Sequence, residues 1–248
     1  MSNHLVGIVP IVSAPMDFKM DWHDSLMPIA PNYYAVERAV LECAYAGCRT
    51  IWIVANDDTT PLIRHRLGDY IQDPVWLKRK GKFPSNKRTL LPIFYVPCPP
   101  EHKNKEYCIS WTILRGASVA SRVGGAISKW VKPTVFYTAF PHAVYPPDFL
   151  RPHRLRLIKK ENFFLTHQDK SVGTGDFLGF TFNFAQFEEM RDRFYKIENS
   201  LLLGQELDNE KEYFRDKFSL DKVFRCVILY SEGKEIPWHY QIDSWDSY

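Results

Sequence analysis

The sequence predicts an α/β protein with a Rossmann-like, mixed but mainly parallel sheet flanked by helices. Three observations lead there. Leu5 to Val12 (LVGIVPIV) is continuously apolar and not alternating, as in a central strand covered on both faces. In YYAVERAVLECAYAG, Val36, Ala39, Val40 and Cys43 fall at helical spacing, and Gly47 sits where a C-terminal cap belongs. Thr50 to Ala55 (TIWIVA) is a second apolar run, rich in β-branched and aromatic residues. Strand, loop, helix and strand make a βαβ unit. Its parallel strands put the loop after Val12 and the tract Asn56, Asp57, Asp58, Thr59 at a carboxyl edge, where ligands of open α/β sheets bind.

The elements follow in order. Pro10 cannot donate to a ladder, so the first strand is expected to bend or lose regular pairing there. Prolines 15, 28 and 31 make the next segment a loop, and Asn32 is the expected N-cap of the first helix. Thr59 or Thr60 before Pro61 starts a helix running to about Tyr70. KRKGKFPSNKR (78–88) carries six basic residues and reads as a flexible surface loop, or else as one that attracts phosphate or contacts nucleic acid. Leu90 to Val96 is a third strand. Trp111 to Trp130 is a helix whose Gly116, Ala117, Ala120, Gly124 and Ala126 offer a close-packing face, and Pro133 ends it. Val135 to Ala139 is a fourth strand. The basic RPHRLRLIKK follows from Arg151, then a strand at Asn162 to Thr166 and another at Asp176 to Phe182. GTGD before the latter reads as a hairpin turn or a sugar-binding loop. A helix at Ala185 to Leu203 carries Phe187, Met190, Phe194 and Ile197 on one face, and a shorter helix covers Glu210 to Lys217. Val223 to Tyr230 is expected to close the sheet as a strand, with a turn at Glu232-Gly233 before the tail IPWHYQIDSWDSY.

The 248 residues suffice for one domain spanning 1–248, with 45% hydrophobic and 25% charged residues, an ordinary globular composition. A net charge of +3 does not call for nucleic acid and suits an anionic small ligand. No stretch is apolar enough to span a membrane, and the N-terminus lacks the pattern of a secretory signal, so a cytoplasmic protein is expected. Five cysteines without a CxxC pair read as free thiols and not as a disulfide framework or zinc site. GxSxG, HExxH and the phosphate-binding P-loop pattern are absent, which removes the hydrolase and ATPase readings tied to them.

SLMPIAPNYYAVERAVLECAYAGCRTIWIVAND, from Ser25 to Asp57, resembles the nucleotide-diphospho-sugar transferase superfamily, in particular its sugar-1-phosphate nucleotidyltransferases. GASVASRVGGAISKWVKPTVFYTAFPHAVYPP and the tail IDSWDSY extend the likeness. The resemblance implies a GT-A-like fold and a reaction in which a sugar phosphate attacks the α-phosphorus of a nucleoside triphosphate and pyrophosphate leaves, with Mg2+ and cations offsetting the charge. It also implies the site. Asp243 matches a metal ligand, Ser13, Ala14, Asn56, Asp57, Gly116 and His142 would bind nucleotide or substrate, and Lys19 and His23 would serve where the family lysine is replaced by Asp24. Bland roles stand beside these: capping for Asp57, an ordinary loop histidine for His142, a turn for Asp243. The loop from Ser13 to Pro28 contains no glycine. Two further readings follow, a glycosyltransferase using a sugar nucleotide and a non-catalytic member binding a nucleotide or a protein. The expected partners are a nucleotide and a sugar phosphate, with a protein partner or a second copy possible, no membrane, and no requirement for nucleic acid.

Overall fold

β1 (Leu5–Pro10) is buried along its whole length, because its alternate side chains meet helices on opposite faces. A Cβ on Gly7 would come within 2.7 Å of Cys43 Sγ on one face, while the next residue, Ile8, packs against Gly116 on the other. The computed structural model of the chain describes residues 4–11, 20, 22–77, 90–98, 108–127, 132–159, 162–202, 218–229, 231–242 and 244–248.

After β1, a small hairpin of β2 (Pro28–Ala30) and β3 (Tyr33–Tyr34) leads into α1 (Ala35–Ala46). Then come β4 (Thr50–Ala55), α2 (Thr60–Leu67), β5 (Tyr70–Gln72), α3 (Pro74–Leu77) and β6 (Leu90–Pro97). α4 (Ile109–Ile127), β7 (Val135–Thr138), β8 (Ala143–Val144) and α5 (Arg154–Ile158) follow. The rest is β9 (Phe163–Thr166), β10 (Phe180–Asn183), α6 (Phe184–Leu202), α7 (Leu220–Leu229), β11 (Glu232–Glu235) and β12 (Tyr240–Gln241).

Among the described residues, eight strands form one sheet in the order β11-β9-β10-β7-β1-β4-β6-β5. β7, β1, β4 and β6 are parallel, β10 runs antiparallel between β7 and β9, β11 lies parallel to β9, and β5 is an antiparallel edge on β6. This is the mixed, mainly parallel α/β sheet the sequence predicts. α1 packs with α3 and α5 on one face, and α4, α6 and α7 cover the other. The ladder to β7 stops at Ile8↔Thr138 while that to β4 reaches Pro10↔Val54, so regular pairing thins on one side as β1 nears its proline.

The α1 boundaries show how local chemistry sets an element. Gly47, at φ 95°, donates to the Ala44 carbonyl and Cys48 N–H to that of Cys43, a Schellman close that only a residue tolerant of positive φ makes cheaply. At the other end the cap is Tyr34, whose N–H donates to Glu37 Oε2 at 2.8 Å. Asn32 does not cap this helix. It takes the left-handed position (φ 55°) between β2 and β3, the other niche in which its short polar side chain is tolerated.

The segment after α6 corrects the sequence reading further. Val223 to Tyr230 is not a strand, because its residues through Leu229 lie in α7, with Leu220, Val223, Phe224 and Val227 buried at helical spacing. β-Branched content favoured a strand, and the period decided for a helix. β11, read as a turn, supplies the outer strand instead: Glu232, Lys234 and Glu235 suit an edge that must not pair further. Regular pairing before α6 begins only at Phe180. Upstream, Val172–Thr174 is a single 3-10 turn closed by Gly175 at φ 91°. α2 ends at Leu67, not near Tyr70, and Tyr70 opens β5. The basic stretch 78–88 and the helix expected at 210–217 lie outside the described residues.

Candidate functional site at the carboxyl edge

The parallel strands end at Pro10, Ala55, Pro97 and Thr138, and the residues just beyond them form the edge at which a ligand of this architecture sits. In the sheet, β1 lies between β4 and β7. Asn56 follows β4, and its carbonyl accepts from Thr59 N, Thr60 N and Thr60 Oγ1 as α2 begins. Its side-chain Oδ1 is buried without a hydrogen-bond partner among the described residues. His142 follows β7, and its Nε2 is buried and unpartnered in the same way, as is Thr138 Oγ1 at the end of β7 itself. Unmet hydrogen-bonding groups therefore flank the end of β1. Buried polar groups left without partners cost about 1–3 kcal/mol each, so these three atoms call for partners beyond the described residues.

His142 is held neutral. Burial first, then the nearby His23 and Arg38, lower its pKa to about 3, against a weaker raising effect of a backbone hydrogen bond with Asp24. His23 lies near enough to act on His142 and is itself lowered to about 4 by burial. Its Nδ1 accepts from Ser25 N at 3.1 Å and lies 2.9 Å from Ser25 Oγ, capping the short 3-10 turn Asp24–Leu26. Burial raises the Asp24 carboxyl. Among the described residues, this part of the loop thus presents a neutral histidine, a serine and a carboxyl group, and no stable cation. Asp57 is exposed one residue past Asn56. Gly116 lies inside the core: a Cβ there would stand 2.9 Å from both Ile8 Cγ2 and Val54 Cγ2, so the missing side chain lets α4 close on the sheet. Ser13, Ala14, Lys19 and Asp243 lie outside the described residues.

Beneath the edge runs a charged network that sequence reasoning missed. Arg38 and Glu42, an i,i+4 pair on α1, are both buried, with Arg38 Nη2 2.7 Å from Glu42 Oε2. The same Nη2 donates to the Phe140 carbonyl at 2.6 Å, and the guanidinium lies over the Tyr145 ring at 4.6 Å. Tyr137 from β7 donates to Glu42 Oε1 at 2.5 Å, and Tyr145 donates to the same oxygen. Burial opposes the Arg38 charge, and Glu42, then Tyr145 and Tyr33, more than offset it. Burial and the Glu42 charge push both tyrosine hydroxyls well above their ordinary range. Gly179 passes so close that a Cβ would strike Tyr137 Oη and Glu42 Oε1. One signal was present: Arg38 and Glu42 sit among Val36, Ala39, Val40 and Cys43 on a helix buried over most of its circumference.

The tail returns to this edge. β12 pairs antiparallel with β8, and Ile242 N donates to the His142 carbonyl at 2.8 Å. His239, whose Nε2 is also unpartnered, is lowered to about 4, chiefly by burial, and its ring lies 6.3 Å from that of Tyr145. Beside the edge, a groove of about 430 Å³ between residues 22–34 and α2 is lined by Trp22, Leu26, Pro28, Tyr34, Leu62 and Arg66. Arg66 lies over the Tyr34 ring at 4.5 Å, with Glu37 Oε1 2.8 Å from its Nε, so the groove is aromatic and nearly neutral. Among the described residues no three His, Cys, Asp or Glu side chains group as metal ligands, and no helix is long and apolar enough to cross a membrane.

No family model and no curated protein matches the sequence. Solved structures do match the fold. A protein of Bacillus anthracis assigned as a glucose-1-phosphate thymidylyltransferase, solved with sucrose, superposes with a TM-score of 0.61 at 9% identity, covering 98% of this chain and 92% of that one. Rv0371c of Mycobacterium tuberculosis H37Rv follows at TM-score 0.48 and 11% identity, covering 100% of this chain and 96% of that one. Its manganese complex gives 0.47 at 12% identity, covering 100% and 97%. The chain therefore has a nucleotidyltransferase-like α/β fold, shared over nearly its full length with that Bacillus anthracis protein at 9% identity.

Proposed function

We propose that the protein is a nucleotidyltransferase that binds a nucleoside triphosphate at the carboxyl edge of β7, β1 and β4 and joins its nucleotide to a sugar phosphate, releasing pyrophosphate. The observation that carries this reading is the pair of unpartnered buried groups, Asn56 Oδ1 and His142 Nε2, on either side of the end of β1. A neutral His142 donates or accepts one hydrogen bond without charge, and Asn56 Oδ1 accepts from a base or sugar hydroxyl. The groove beside them offers Trp22 and Tyr34 to a planar base or a sugar ring.

Magnesium in such chemistry is held through one or two carboxylates together with phosphate oxygens and water. The described residues of this edge supply the unpartnered oxygens Asn56 Oδ1 and Thr138 Oγ1 and the exposed Asp57 carboxyl, and a histidine nitrogen is a poor match for so hard a cation. A Mg2+ site here depends on substrate phosphates and on Asp243. The roles left to the described residues are binding and orientation.

The test is an assay of each nucleoside triphosphate with sugar 1-phosphates and Mg2+. Pyrophosphate release is expected, and Asn56→Ala is expected to weaken nucleotide binding roughly tenfold, the value of one lost buried hydrogen bond. Release of a nucleoside diphosphate from a sugar nucleotide would instead establish a glycosyltransferase. A second reading, a nucleotide-binding protein without catalysis, is favoured by Asp24, which stands at the family's lysine position and brings a carboxyl where a phosphate needs a cation. Nucleotide-dependent thermal stabilisation with no product from any pair would decide for it.

A further inference from the structure

Away from the carboxyl edge, α4 and α6 enclose a crevice of about 70 Å³. Trp111, Arg115 and Ser118 reach it from α4 at i, i+4 and i+7, and Arg191 and Tyr195 reach it from α6 one turn apart. Two arginines thus line one small space, and its described lining includes no carboxylate residue. Arg115 Nε is buried and has no hydrogen-bond partner among the described residues. Arg191 lies over the Phe187 ring at 5.6 Å and meets exposed Asp192 at 3.3 Å, a contact that leaves most of its donors available. Glu189 on α6 is held by Arg193 at 2.5 Å, and exposed Glu188 lies three residues before Arg191.

A buried donor without an acceptor is costly, and two like charges converging on one crevice add to that cost. An anion removes both penalties. The volume is about twice the ~30 Å³ share of a water molecule in the liquid, far below the ~300 Å³ of a pocket for a whole nucleotide. We propose that this crevice binds a phosphate-class oxyanion, held by Arg115 and Arg191 with the hydroxyls of Ser118 and Tyr195 as further donors. The occupant links α6 to α4, the helix that packs on β1 and β4. This site shares none of the described residues named at the carboxyl edge and does not rest on the transferase reading.

The test is calorimetric titration of the full chain with inorganic phosphate at constant ionic strength. Wild type is expected to bind, Arg115→Gln and Arg191→Gln each to weaken binding roughly tenfold, and Asn56→Ala to leave it unchanged. Arg191 is partly exposed, so its replacement does not threaten folding, and circular dichroism checks this directly. Failure of wild type to bind in the millimolar range overturns the proposal. So does binding that Asn56→Ala abolishes and Arg191→Gln leaves intact, because that places the anion at the carboxyl edge.

Discussion

Arg38 and Glu42 carry opposite charges into the interior, where each is tolerated only because of the other and of the two tyrosine hydroxyls. Glu42→Ala strands a guanidinium and both hydroxyls together, so a loss of roughly 3–5 kcal/mol in denaturant unfolding is expected. Replacing Arg38 and Glu42 together with Met and Leu should cost far less, and equal losses for single and double variants would show that packing, not charge, dominates there. Gly116→Ala tests crowding: its Cβ meets Ile8 and Val54 at 2.9 Å, in a layer that cannot yield without shifting α4, and a loss of about 1–3 kcal/mol is expected. Asn56 and His142 were legible as candidates because their positions after β-strand patterns are visible in the chain. The Arg38 network was not, because an i,i+4 ion pair reads the same whether it faces water or Tyr137, a residue 95 positions beyond Glu42.

At the level of elements, continuous apolar runs identified β1 and β4 and glycine punctuation ended α1, since those signals are local. α7 was misread because VFRCVILY is rich in β-branched residues, and only its tertiary neighbours show that the apolar side chains lie along one helical stripe. Phe224 is fully buried in that stripe, 4.9 Å from the Phe180 ring and 6.0 Å from Phe182. Phe224→Ala is expected to cost about 3–5 kcal/mol, measured by urea unfolding, whereas a site on a half-exposed strand would lose much less. Gly173 fits the same arrangement. A Cβ there would overlap Ile228, so the GTGD segment serves the packing of α7 against the 3-10 turn.

For the whole molecule, buried histidines contribute to the response to acid, His4 and His239 among them, each lowered to about 4. His142 has a folded pKa of about 3 and His23 of about 4, both below the ordinary 6.5, so the unfolded chain takes up protons that the folded chain refuses. Their contribution is intact above about pH 6.5 and is lost as pH falls toward 4, at about 1.4 kcal/mol per pH unit for each histidine. Unfolding free energies measured from neutral pH down to about 5 should show this slope, and His142→Asn should reduce it; an unchanged slope in that variant would remove His142 from the account. Hydropathy and spacing by themselves determined the fold class and the βαβ core, because these follow from periodicity and from the handed geometry of parallel strands. The tertiary structure alone decided that α7 is a helix, that EGKE is the outer strand and that Arg38 is paired. Each of these depends on which distant residue a side chain meets, and that information is carried by no short stretch of the chain.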